Sequence, residues 1–106
     1  MSEIVSVYAT FASVEEARSV GRSLVEERLA ACINLLGTCH SIYRWHGKVE
    51  EAEEVAAIFK TTAGQAPLLI ARLGQLYSYE SPAAVVWPIS EASEAYRLWV
   101  IENSGR

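Results

Sequence analysis

The sequence predicts an α/β fold of the α+β kind: one antiparallel sheet with helices in the order βαββαβ, a long hairpin between the second and third strands, and an extra C-terminal helix. Three observations carry this. Segments with strand alternation take turns with segments that carry a helical apolar stripe. Two long strand-like stretches, Ala31 to Trp45 and Lys48 to Thr61, meet at a Gly-containing tip, His46-Gly47-Lys48. Capping residues and prolines fall where the periodicity changes, at Ser13, Pro67 and Ser93.

The first strand is Ile4 to Thr10, alternating apolar and small residues. Ser13 followed by Glu16 is a capping box. Behind it Val14, Ala17, Gly21, Leu24, Val25 and Leu29 form one stripe, with Glu15, Arg18, Arg22 and Glu26 largely opposite. Arg28, after Glu27, is expected to close this helix, where positive charge is favoured. In the second strand Leu36-Gly37-Thr38 marks a bend or bulge. The third strand begins with Glu50, Glu51, Glu53 and Glu54, poor strand formers, so this half is expected to be exposed or to end against another subunit.

In the second helix Leu69, Leu73, Leu76 and Tyr77 form the apolar stripe, with Ile70 beside them. Pro67 places the first turn close to itself, and Gly74 costs about 1 kcal/mol relative to Ala. Ser78 to Pro82 is a loop. Ala83 to Ile89 is the fourth strand, where Pro88 suits an edge or a strand end. Ser93 caps a last helix with Tyr96, Trp99 and Val100 on one side. Trp87 and Trp99 are expected to pack between strand four and that helix, and Asn103 to Arg106 to fray. The order is the ferredoxin-like pattern, with helices on one face of the sheet. Residues 1–106 read as a single domain, without repeat or linker.

A net charge of −4 argues against a nucleic-acid or anionic-membrane partner, which would need a basic face. No stretch has the pattern of a signal peptide or the length of a membrane span, so the expected compartment is the cytoplasm. Cys32 and Cys39 share one strand, beyond disulfide reach of each other, and two free thiols suit a reducing environment.

The chemistry-bearing residues are few. His40 neighbours Cys39, but adjacent strand side chains point to opposite faces, so the pair is a poor chelate. His46 at the tip, near Glu50, is a weak metal candidate. A solvated turn histidine is the alternative, because a metal site needs about three or four convergent ligands. There is no Gly-rich phosphate loop and no Ser, His and acid set at local spacing. The loop Phe11-Ala12-Ser13-Val14 lacks the arginine that a ferredoxin-like acylphosphatase would use, and Asn34 alone makes no site. An RNA-recognition module would need more than the single central aromatic Tyr8. The expectation is therefore a protein that is not an enzyme.

Glu27-Arg28-Leu29-Ala30-Ala31-Cys32, the tip Ser41-Ile42-Tyr43-Arg44-Trp45-His46-Gly47-Lys48, the pair Glu54-Val55 and then Lys60-Thr61 occur in register. Together they resemble the CutA divalent-cation-tolerance family, and the likeness extends more weakly over nearly the whole chain. The resemblance implies a ferredoxin-like fold, a tight homotrimer similar in architecture to the PII signalling proteins, and a non-enzymatic role in tolerance of copper and other divalent metals.

Copper or another divalent cation is thus the implied cofactor, but the family's copper positions are substituted here. They are a Cys late in the first strand and His residues after the second helix. This chain has Ala9, and Leu76, Tyr77 and Ser78. The family's His-Pro-Tyr-Glu is Tyr77-Ser78-Tyr79-Glu80, the Glu after the loop proline is Ala83, and the tip Glu is His46. Three His46 side chains could still gather if the tips meet. The other reading is a PII-like sensor of a small anion in intersubunit clefts. Lys60, Tyr79 and Glu80 would line such a cleft with Trp45 of a neighbour, Lys60 taking the charge and the rings stacking. Against it stands a plain intersubunit ion pair of Lys60 with Glu80. Trp45 is the expected interface anchor.

Overall fold

A computed structural model describes residues 3–105. The elements are β1 (Ile4–Phe11), α1 (Val14–Glu26), β2 (Cys32–Trp45), β3 (Lys48–Thr62), α2 (Ala66–Leu76), β4 (Ala84–Pro88) and α3 (Glu94–Glu102). The sheet order is β2-β3-β1-β4 and every pairing is antiparallel, the ferredoxin-like arrangement that the element order predicts. None of the described helices is long and apolar enough to cross a membrane.

Alternation along the central strands sorts the side chains. Val5, Val7, Ala9 and Phe11 of β1 face the same way as Val55, Ala57 and Phe59 of β3, and bury against Ala17, Val20 and Leu24 of α1 and Leu69 and Leu73 of α2. The other phase carries Ser6, Tyr8 and Thr10 with Ala56, Ile58 and Lys60. Thr61 is buried at the end of β3, and its hydroxyl donates to the Leu29 carbonyl at 2.7 Å.

The capping box forms. Ser13 Oγ accepts the Glu16 amide at 3.1 Å, while Glu16 Oε1 reaches back to the Ala12 amide at 3.2 Å. Val14, expected in the buried stripe, lies at the first position of α1 and is exposed, and Val20 takes a core position instead. In α2, Pro67 sits in the first turn. Tyr77 is buried, but as the extended residue after the helix rather than as part of it. Gly74 makes room for the following loop, since a Cβ there would lie 3.1 Å from Pro82 Cγ.

The hairpin is the longest feature of a molecule measuring 44 × 25 × 22 Å. Its tip is a two-residue turn in which His46 (φ 50°) and Gly47 (φ 79°) are both left-handed, the backbone that matches strand twist. Leu35 pairs with Ala57 and Gly37 with Ala56, leaving Leu36 unpaired as a bulge where the Leu-Gly-Thr signal lies. The extra residue changes the phase of β2. Beyond it Cys39, Ser41, Tyr43 and Trp45 stand opposite Glu54, Ala52, Glu50 and Lys48, on the face away from α1 and α2.

Four expectations need correction, three of them in the C-terminal third. First, α3 does not join the other helices on one face: its Val100 packs on Ile4 and Ala31 in a separate small cluster, and its Tyr96 hydroxyl lies 3.7 Å from Cys32 Sγ, so it reaches side chains of the other sheet phase. Second, Trp87 and Trp99 do not fill a space between β4 and α3. Trp87 stacks on Tyr8 at 4.9 Å and Trp99 on Tyr96 at 5.8 Å, both half-exposed, because alternation in β4 turns Trp87 to the open face. Third, Asn103 to Gly105 do not fray: Ser104 is buried, its hydroxyl donates to the Val100 carbonyl at 2.6 Å, and the Gly105 amide donates to the Arg28 carbonyl at 2.6 Å. Arg106 lies outside the described residues. Fourth, Arg28 closes α1 with its backbone, in the left-handed conformation (φ 63°), with its amide on the Val25 carbonyl and that of Leu29 on the Leu24 carbonyl. Its guanidinium is not spent on α1; it turns to the end of α3.

Gly47→Ala should lower stability by about 1 kcal/mol, the cost of an L side chain in left-handed backbone. The denaturant midpoint measures this, and an unchanged midpoint would show that the turn can rearrange freely.

Candidate functional site

The densest polar contacts gather where the loop after α2 meets the base of the hairpin. Tyr77 brings its ring edge-on to Phe11 at 5.5 Å, and its buried hydroxyl donates to the Thr10 carbonyl. Burial pushes this phenol up to about 12, although its hydrogen bonds at Thr10 and Ala83 work in the opposite sense. Tyr79 lies against Tyr77 at 4.8 Å and donates to Glu54 Oε2 at 2.6 Å. Burial first and the Glu54 carboxylate second push the Tyr79 phenol well above its ordinary value. Desolvation opposes charge on Glu54, but hydrogen bonds from Ser41, Tyr79 and Thr10 outweigh it and hold the carboxyl below its usual range.

Glu16 completes this junction. One carboxylate oxygen caps the Ala12 amide, and the other accepts the Ser78 amide at 2.8 Å. One side chain therefore ties the β1–α1 turn to the loop after α2. Sequence reading found Glu16 only as a capping residue and Glu54 only as part of an exposed acidic run. The signal for Glu54 was the bulge, which sets Cys39 and Ser41 on its face.

The residues proposed for a cleft are divided between the hairpin, which carries Lys60 and Trp45, and the loop after α2, which carries Tyr79 and Glu80. Lys60 donates to Asn34 Oδ1 at 3.1 Å, directly across the strands from Cys32 and Ser6. Glu54, the partner of Tyr79, is six residues away on β3, about 20 Å. Lys48, opposite Trp45, is six residues further, about another 20 Å. Trp45 rests edge-on against His46 at 4.7 Å, and Glu80 is exposed on the loop. One chain does not bring Lys60, Tyr79, Glu80 and Trp45 together.

The metal candidates are similarly dispersed. His46 packs on Trp45, while Glu50 stands across the strands from Tyr43. His40 has a partner that sequence reasoning missed, Glu51 Oε1 at 2.8 Å, in an exposed diagonal pair. Among the described residues no group of three His, Cys, Asp or Glu side chains is placed to hold a metal ion. Cys32 and Cys39 are both free.

Residues 5–103 match the family model described as CutA1 divalent ion tolerance protein. The Divalent-cation tolerance protein CutA of Thermus thermophilus is 43% identical over 105 residues, covering 99% of this chain and 100% of that protein. A solved structure of Cut A1 from the same organism superposes with a TM-score of 0.93 over 96% of this chain and 99% of that one, at 42% identity. The Protein CutA of Mus musculus is 33% identical, and the match spans 60% of its length. The periplasmic divalent cation tolerance protein CutA of Archaeoglobus fulgidus superposes with a TM-score of 0.91 at 31% identity, over 94% of this chain and 97% of that one.

The Tyr79–Glu54 bond gives a stability change with a defined pH sense. The Glu54 carboxyl titrates below its ordinary 4.5, so its bonds contribute fully above that value, and the contribution is lost as pH falls through the depressed folded value. Tyr79→Phe should cost about 1 kcal/mol at neutral pH, the site being only partly buried, and the difference from wild type should shrink in acid. Denaturant titrations at neutral and acid pH measure both. A penalty that does not change with pH would mean the phenol is not serving a carboxylate.

Proposed function

Because the chain belongs to the CutA1 divalent ion tolerance family, we propose that it is a non-enzymatic homotrimer serving tolerance of divalent metal ions, copper among them. The observation that carries the assembly is the outer half of the hairpin. It projects beyond the core and leaves Ile42 (65%), Val49 (63%) and Trp45 (46%) exposed on an arm with no core of its own. The sheet also ends in two edge strands, β2 and β4. Apolar arms and open edges call for cover, and a closed ring of identical subunits supplies it without leaving an end. Trp45 is the anchor of that contact.

The metal role is indirect in this reading. Ala9, Tyr77 and Ser78 offer no side chain suited to copper in place of the family's Cys and His, and His46 with Glu50 is left as the weak remaining candidate. Two unpaired cysteines fit a reducing cytoplasm. A second reading, a sensor of a small anion, draws on Lys60. Among the described residues its ammonium has the acceptor Asn34 for three donor hydrogens, and trimer contacts would carry Trp45 of one subunit towards Tyr79, Glu80 or Lys60 of another.

Growth of a host lacking the protein in raised copper tests the function: restoration by the wild-type gene is expected, and equal growth with or without it overturns the proposal. Trp45→Ala should lower the light-scattering mass on dilution while the circular dichroism of the folded chain persists; an unchanged trimer removes Trp45 as anchor. Calorimetric titration of the metal-stripped trimer separates the two readings. Copper heats at background, with an organic anion retained in native mass spectra, favour the sensor. Tight copper binding that survives His46→Ala locates a site elsewhere, and binding lost with that substitution locates it at the tip.

A further inference from the structure

We propose that α3 and the residues after it form a strap across the start of β2, that Arg28 is its clasp, and that opening the strap uncovers Cys32. The clasp is specific in geometry. Arg28 Nε donates to the Gly105 carbonyl at 2.6 Å and Nη2 to the Glu102 carbonyl at 2.6 Å, so one edge of the guanidinium forks onto two backbone oxygens. The return bond runs from the Gly105 amide to the Arg28 carbonyl, which also accepts from Gln65 Nε2 at 3.4 Å.

The helix needs this clasp. It has no basic residue in its last turn, and its terminal carbonyls face the guanidinium instead, the charge that a helix C-terminus favours. Its packing within one chain is thin: Val100 is its single fully buried side chain, joined by the partly buried Ile101 and by Ile89, whereas Tyr96, Leu98 and Trp99 are each more than a third exposed there. Its ties on the surface include Arg97 to the exposed Glu3 at 2.9 Å. An element held by few buried contacts opens locally before the sheet does. Arg28 is itself exposed, so water competes for its bonds and the clasp can release without unfolding the core.

What lies beneath sets the consequence. Cys32 is half-buried, with the Tyr96 hydroxyl shielding one side at 3.7 Å from the sulfur, and it stands directly across from Lys60. Release of the strap therefore opens the shielded side of a half-buried thiol beside an ammonium group, at one end of the open face. The cost of left-handed backbone at Arg28 is offset by the two charge-assisted bonds that this placement allows.

Iodoacetamide labelling of the full chain, read by mass spectrometry at each cysteine, tests this with Cys39 as internal reference. Arg28→Gly removes the clasp and relieves the left-handed strain together; Arg28→Lys keeps the charge but loses the fork. Both should raise the Cys32 rate about tenfold relative to Cys39. An unchanged ratio overturns the proposal, and so does a parallel rise at both cysteines. Amide exchange of the wild-type protein provides a test that no variant can spoil by misfolding. The amides of residues 99–104 and the Cys32 thiol should report the same opening constant once each rate is divided by its value in the unfolded chain, while the amides of β1 stay protected. Exchange of α3 only together with β1 overturns the proposal.

Discussion

Pairing along β3 governs the molecule, and the unpaired Leu36 governs that pairing. Up to Leu35, β2 turns its odd-numbered side chains to the helices, and Ile33 packs at the core. Beyond Gly37 the same numbering faces the other way. Without that residue Cys39, Ser41, Tyr43 and Trp45 would lie on the helix side of the sheet, and Glu54 would lose Ser41 as a donor. The polar junction at Tyr79 and the aromatic arm are thus two outcomes of one irregularity in a ladder. A bulge of this kind acts as a component of the fold.

The segment Glu27 to Cys32 shows why a run of ordinary residues can carry so much of the resemblance. Glu27 receives both Nε and Nη2 of Arg72, linking the end of α1 to α2. Arg28 reverses the chain and reaches α3. The Leu29 carbonyl accepts the buried Thr61 hydroxyl, Ala30 is fully buried, and the Ala31 amide begins the ladder on the Lys60 carbonyl. Six consecutive residues therefore contact α2, α3 and β3. Substitution at any of them meets a constraint from a distant part of the chain.

The fold was legible because its signals are local. Alternation in β1, the Ser13 cap, the helical stripe of α1, Pro67 and the tip at Gly47 each act within a few residues. The bulge was legible too, from a glycine inside a strand pattern. What sequence reasoning missed depends on contacts of long separation. Arg28 and Gly105 are 77 residues apart and Ser78 and Glu16 are 62 apart. Periodicity gave α3 an apolar side but not the sheet phase it would meet, so Trp87 and Trp99 were expected between β4 and that helix, when their ring partners are Tyr8 and Tyr96. The candidate cleft was less legible still. Its residues lie on the loop after α2 and at distant points of the hairpin, a separation set by tertiary structure that no local pattern records.

The three tryptophans fall in three separate neighbourhoods, each beside a different ring: Trp45 with His46 at the tip, Trp87 with Tyr8 on the sheet, Trp99 with Tyr96 on the last helix. Each is half-exposed, so its emission depends on solvent and on that one neighbour. Single-tryptophan versions of the chain would thus give separate optical channels for the arm, the sheet and the C-terminal helix, using residues already in place rather than attached dyes.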